Sequence, residues 1–161
     1  METMQKLQKT PESFNISDIM SFLTCEGPRQ QELFEHARQV RRDAGQDDVV
    51  LRGVIEISNY CRKNCDYCAM RTENNEVDRY TLTAEDIIEL AKQIKGAGIN
   101  RIFLQGGQNA ENDDVLEHVI PAIKNDLGLD VLLCLGERPK ETYGRFTQLG
   151  ASSYILKYET S

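Results

Sequence analysis

Apolar and polar residues alternate along Leu51-Arg52-Gly53-Val54-Ile55-Glu56-Ile57-Ser58, the two-residue period of a strand with one buried face. Short apolar runs at 101–105, 130–135 and 153–157 predict three more strands. The spacing changes to a helical one between them. Thr83-Ala84-Glu85-Asp86 has the spacing of a capping box, Ile87, Ile88, Ala91 and Ile94 follow on one face, and Gly96 and Gly98 end the run. Val115, Leu116, Val119, Ile120 and Ile123 mark a second helix, in which Pro121 predicts a kink or an early break. Pro139 opens a third, which ends near Gly150. Two helices precede the first strand. Ile16, Ile19, Met20 and Leu23 share a face of the first, with Asn15 or Ser17 as its cap. The second opens at Gly27-Pro28, turns Leu33, Phe34, Ala37 and Val40 to one side and Arg38, Arg41 and Arg42 to the other, and stops by Gly45.

The order is therefore α-α-β-α-β-α-β-α-β. Strands that alternate with helices predict a parallel sheet joined by right-handed crossovers. Residues 1–48 are expected to form a helical cover, with a polar, loose start over 1–14, and residues 49–161 four strand–helix units of an α/β barrel. Functional loops then belong at the C-terminal ends of the strands. Every unusual cluster in the chain falls there: the cysteine-rich loop after strand one, Gly106-Gly107-Gln108 after strand two, and Gly136-Glu137 after strand three.

Composition narrows the class. The chain has 161 residues, 40% hydrophobic and 28% charged, enough for a domain with its own core. No apolar run reaches the roughly 20 residues that span a bilayer, and the N-terminus opens no apolar signal region, so a cytoplasmic location is expected. A net charge of −7 argues against a general nucleic-acid surface and for a small molecule or a protein as the target.

The chemistry sits in Cys61-Arg62-Lys63-Asn64-Cys65-Asp66-Tyr67-Cys68, three thiols within eight residues. Three thiolates on one loop can hold three irons of a 4Fe-4S cluster and leave the fourth iron open. A structural zinc site needs four ligands, and the two histidines, His36 and His118, fall in predicted helices. Zinc completed by another residue, or inert core thiols, are the alternatives. Cys25 and Cys134 fit better as small buried hydrophobes. The loop runs on to Tyr80, which is long for a strand-to-helix link and points to function.

This C-x-x-x-C-x-x-C pattern resembles that of the radical S-adenosylmethionine (SAM) enzymes. The resemblance extends over the run from Val54 to Cys65, Arg79-Tyr80-Thr81-Leu82-Thr83, Leu104-Gln105-Gly106-Gly107, Leu135-Gly136-Glu137 and Tyr158-Glu159-Thr160. These segments are similar to the biotin-synthase-like branch, and within it to the group of HydE-type FeFe-hydrogenase maturases and methylornithine synthases. The resemblance implies a partial (βα) barrel, the N-terminal part of a longer protein, because such barrels have six or more units and only four strands are predicted. It implies a 4Fe-4S cluster on Cys61, Cys65 and Cys68, with SAM chelating the open iron and being cleaved to methionine and a 5'-deoxyadenosyl radical.

The resemblance also implies the SAM contacts. Tyr67 matches the aromatic position near the adenine. Gly106-Gly107-Gln108 matches a Gly-Gly-Glu turn that receives the methionine amino group, here with an amide in place of the carboxylate. Glu137 matches a residue that binds the ribose hydroxyls. Lys157 stands where HydE-type enzymes carry an arginine for the SAM carboxylate, so the charge is kept and the planar fork is lost. Gln105 is expected to face the barrel interior, and no residue is assigned a catalytic role. A small-molecule substrate, a reductant such as flavodoxin or ferredoxin and, on the maturase reading, other maturation proteins are the implied partners. Nucleic acid and membrane are not among them. An iron–sulfur module that only passes electrons and a scaffold for a maturation complex are the readings from other classes.

Overall fold

The computed structural model describes residues 13–109, 111 and 113–157. Of the loose start expected over 1–14, residues 1–12 lie outside the described residues, as does the Tyr158-Glu159-Thr160 segment. The chain divides into two compact units at the Val50–Leu51 junction.

The first unit holds α1 (Ile16–Leu23) and α2 (Pro28–Asp43). Asn15 caps α1, its side chain accepting from the Asp18 amide while the Asp18 carboxylate accepts from the Asn15 amide. That decides between the two predicted caps. The apolar face of α1 is exposed, with Ile16 80% and Leu23 76% accessible, and the buried residue of the helix is Asp18. Apolar spacing identified the helix correctly but carried no information about whether that face would be covered. Cys25 is buried, as expected, and its thiol donates to the Phe22 carbonyl.

The second unit is a four-stranded parallel sheet in the order β1-β2-β3-β4. The strands are β1 (Gly53–Ser58), β2 (Arg101–Gly106), β3 (Asp130–Cys134) and β4 (Ser153–Tyr154), linked by α3 (Ala84–Gly96), α4 (Asp113–Pro121) and α5 (Lys140–Leu149). Thr83 and Asp86 form the predicted capping box at the start of α3. Pro121 does interrupt its helix, and a π-helical turn, Ala122–Asp126, follows it. Ile55, Ile57, Leu104 and Leu133 from the sheet pack with Ile87, Ala91, Leu116, Ile120 and Phe146 from the helices in one core. Gly53 leaves room for α3 to pack against β1, since a Cβ there would stand 2.3 Å from Ile94 Cγ2.

Two strand limits differ from expectation. β1 starts at Gly53, two residues after the alternation does. β4 covers two residues instead of five. Among the described residues it pairs with β3 alone, and its last ladder bond, Ile155 N–H to the Leu133 carbonyl, is reached just before β3 ends at Cys134. Beyond that point the neighbouring chain turns away at Gly136, φ +80°, so residues 156 and 157 have no ladder to join. Apolar content alone does not show where a partner strand stops.

Candidate functional site

The sheet has two faces, and one of them carries a polar row. Register pairs Glu56 with Gln105 and Gln105 with Cys134, so these three side chains sit abreast on β1, β2 and β3. They line a cavity of about 600 Å³ at the C-terminal end of the sheet. The same cavity is lined by Cys61, Cys65, Tyr67 and Cys68 from the loop after β1, and by Gly106, Gly107 and Gln108 after β2. Glu137 after β3 and Lys157 after β4 complete the set, so all nine predicted positions meet there. The volume is within the range that accommodates a cofactor-sized ligand. Gln105 faces this interior, as expected, and Cys134 is buried but belongs to the cavity wall as well as to the core.

The cysteine loop is launched by a register shift in β1 between Glu56 and Ser58. The irregularity leaves two consecutive residues, Ile57 and Ser58, buried, and turns the following chain. The buried Ser58 hydroxyl hydrogen-bonds the Tyr80 carbonyl, the Thr81 hydroxyl and the Tyr60 amide. Asn59 grips the far end of the same loop, donating to the Asp78 carbonyl and accepting from the Tyr80 amide. Arg79 binds the loop together. Its guanidinium donates to the carbonyls of Asn59 (2.6 Å), Met70 (2.9 Å), Arg71 (2.7 Å) and Asn74 (3.0 Å). A planar fork with several N–H groups suits four acceptors better than an ammonium would.

None of the three loop cysteines is in a disulfide, and each is partly exposed. Cys61 Sγ accepts from the amides of Lys63 (3.4 Å) and Gln108 (3.3 Å). Among the described residues no three His, Cys, Asp or Glu side chains converge on one metal-sized point. Thiolates of a 4Fe-4S cluster bind separate irons, so such a loop does not need that convergence.

The turn after β2 is set against the cysteine loop. A Cβ on Gly107 would lie 2.2 Å from the Tyr60 carbonyl oxygen and 2.7 Å from Cys61 Cβ, so this position accepts only glycine without a shift of backbone. The Gly107 amide donates to the Ser58 carbonyl, and the Arg62 amide to the Gln108 carbonyl. The turn after β3 closes over it. A Cβ on Gly136 would meet Gln108 Cγ at 2.7 Å.

Gln108 Nε2 donates to Glu137 Oε2 at 3.0 Å, and Lys63 Nζ stands 3.6 Å from the same oxygen. The Gln108 hydrogen bond first, and then the Lys63 charge, hold the Glu137 carboxyl below the ordinary carboxylate value. Glu137 is therefore a carboxylate with one oxygen engaged. With its amide nitrogen committed, Gln108 offers its carbonyl oxygen as an acceptor. Tyr154 donates its hydroxyl to the Gly136 carbonyl at 2.6 Å, and burial pushes its pKa up to about 12.

Sequence reasoning missed three contributors. Glu56 was signalled by a charged residue on the alternate face of an otherwise apolar strand. Arg79 falls in the Arg79–Thr83 segment, whose only mark in the sequence is its similarity to the branch. Arg138 is half of a buried ion pair with Asp113, 25 residues away, and no local pattern marks such a pair.

Comparison with known proteins follows the same outline. Residues 55–157 match the Radical SAM superfamily. The chain is 40% identical over 130 residues to the [FeFe] hydrogenase maturase subunit HydE of Thermotoga maritima, covering 80% of this chain and 37% of that protein. It is 32% identical over 159 residues to the 3-methylornithine synthase of Methanosarcina acetivorans, covering 95% of this chain and 45% of that protein. The crystal structure of methylornithine synthase (PylB) superposes with a TM-score of 0.77 at 26% identity, over 97% of this chain and 47% of that one. The chain thus spans less than half the length of these relatives, and its four strands with the three helices that link them correspond to part of their barrel.

Proposed function

This chain belongs to the radical SAM superfamily, and on that premise we propose that Cys61, Cys65 and Cys68 hold a 4Fe-4S cluster and that the turns after β2, β3 and β4 bind SAM beside it. The observation that carries the reading is the meeting of the cysteine loop with Gln108, Glu137 and Lys157 around one cavity. When bound, the cluster and SAM together supply a strong one-electron reductant and the 5'-deoxyadenosyl radical generated with it.

The residues present fit these groups. The loop offers three thiols and no fourth, and Arg79 ties four of its carbonyls to one guanidinium. Gly107 keeps the floor beneath Cys61 free of a side chain. Glu137, held ionised, accepts from ribose hydroxyls. The Gln108 carbonyl oxygen accepts from the methionine ammonium, a neutral acceptor where charge pairing would be stronger. Lys157 supplies a point charge for the methionine carboxylate, and Tyr67 an apolar face for the adenine.

In the whole protein the substrate is a small molecule, and a reductant such as flavodoxin or ferredoxin supplies the electron. The higher identity to the hydrogenase maturase supports a role in FeFe-hydrogenase maturation, with other maturation proteins as partners. The sequence match to 3-methylornithine synthase, which runs over 159 residues, supports the second reading, a methylornithine-synthase-like radical SAM enzyme.

The test is an iron count. After anaerobic reconstitution, iron is expected near four per chain, with a fall to less than about half in each of Cys61→Ala, Cys65→Ala and Cys68→Ala. Stoichiometric zinc with no iron uptake in protein purified without oxygen would refute the proposal.

A further inference from the structure

The Arg138 side chain is 2% exposed and that of Asp113 12%, so the two form a deeply buried ion pair. Arg138 Nε lies 3.0 Å from both Asp113 carboxylate oxygens. Nη1 donates to the carbonyls of Leu135 (2.8 Å) and Glu137 (3.0 Å), and Nη2 to that of Asn109 (2.6 Å). Tyr154 takes the carbonyl in between, that of Gly136. Three consecutive carbonyls of the turn after β3 are thus held by side-chain donors. The Arg138 amide donates to the Tyr143 hydroxyl, which fixes the arginine's own backbone.

A buried ion pair is weak support for stability, because desolvation offsets much of the attraction. Its geometry here serves another purpose. The guanidinium ties the residue after Gln108 to the backbone of Glu137, and these are the two side chains that hydrogen-bond each other at the cavity rim. Glu137 itself is exposed, so nothing buries it into a single position. We infer that Arg138 and Asp113 form a positioning pair that sets Gln108 and Glu137 in register for the cofactor, separately from any role in folding. The inference rests on the proposal that those two residues contact SAM.

The experiment is a SAM titration of the reconstituted 161-residue chain, followed by the EPR spectrum of the reduced cluster, with iron counted in each sample. Arg138→Lys keeps the charge and loses the fork. It is expected to weaken SAM about tenfold while leaving iron content and the SAM-free spectrum unchanged. Because the pair acts through Glu137, the losses should not add. Arg138→Lys combined with Glu137→Gln is expected to bind within about twofold of the weaker single variant. Asp113→Asn, which keeps the shape of its partner, is expected to show the same pattern. Unaltered SAM affinity in both single variants overturns the inference. So does full additivity, or a loss of iron that parallels the loss of SAM in both, since either marks a structural role. A parent spectrum indifferent to SAM overturns the cofactor reading itself, which separates the two failures.

Discussion

At the residue scale, the site depends on two kinds of position, those that must be empty and those that must hold a charge. Gly107 is the first kind. A Cβ 2.2 Å from the Tyr60 carbonyl oxygen has nowhere to go without moving the chain that carries Cys61. Gly107→Ala is expected to cost about 1–3 kcal/mol through overpacking and to lower iron per chain under mild reconstitution. Glu137 is the second kind. Glu137→Ala is expected to weaken SAM about tenfold to a hundredfold and Glu137→Gln less, because an amide oxygen still accepts. Its carboxyl is held below the ordinary 4.5 by Gln108 and then by Lys63. A depressed folded value means that the contribution is complete above the unfolded value and is lost as pH falls through the folded one. Affinity has the same sign, because Glu137 accepts as a carboxylate: on this residue's account SAM binding should stay level from neutral pH down through the ordinary carboxylate value and decline only as pH falls through the depressed one. In Glu137→Gln the acid decline should disappear. Lys157→Arg restores the fork and is expected to hold or improve SAM binding, measured in the same titration.

At the scale of elements, the chain was legible where structure is local. The Thr83–Asp86 box, the break at Pro121 and the left-handed Gly150 that ends α5 are each decided within a few residues, and all stand where their residue types placed them. What was not legible depends on a partner. β4 is short because β3 ends beside it, and the spacing that marks α1 as a helix does not say what its apolar face meets. The site divides the same way. The cysteine triplet and the glycine turns announce themselves by spacing. The four carbonyls gathered by Arg79 carry no sequence mark, because any residue supplies a carbonyl. The loop's order should therefore rest on that arginine. Arg79→Ala is expected to raise amide exchange across residues 60–78 by about tenfold or more and to lower iron retention, with exchange in β2 and β3 unchanged. Arg79→Lys should recover part of the protection, since an ammonium can still donate to some of the same carbonyls.

At the scale of the molecule, the site is a consequence of parallel topology. Residues 61–68, 105–108, 137 and 157 are far apart in the chain, and they meet because every strand of the sheet ends on the same side. The back of the sheet is closed by α3, α4 and α5 around a single core, which leaves the opposite face with Glu56 and Gln105 for the cavity. Each turn is then locked to its neighbour: Gly107 under Cys61, Gly136 against Gln108, and Arg138 across both. A cluster bound by three thiols with one iron left for SAM is the claim this arrangement supports. It is tested most directly by the EPR spectrum of the reduced, reconstituted chain with and without SAM. The expected result is a spectrum whose g-values shift on addition of SAM and saturate with it. A four-iron cluster whose spectrum stays the same at saturating SAM, in folded protein, would contradict the account.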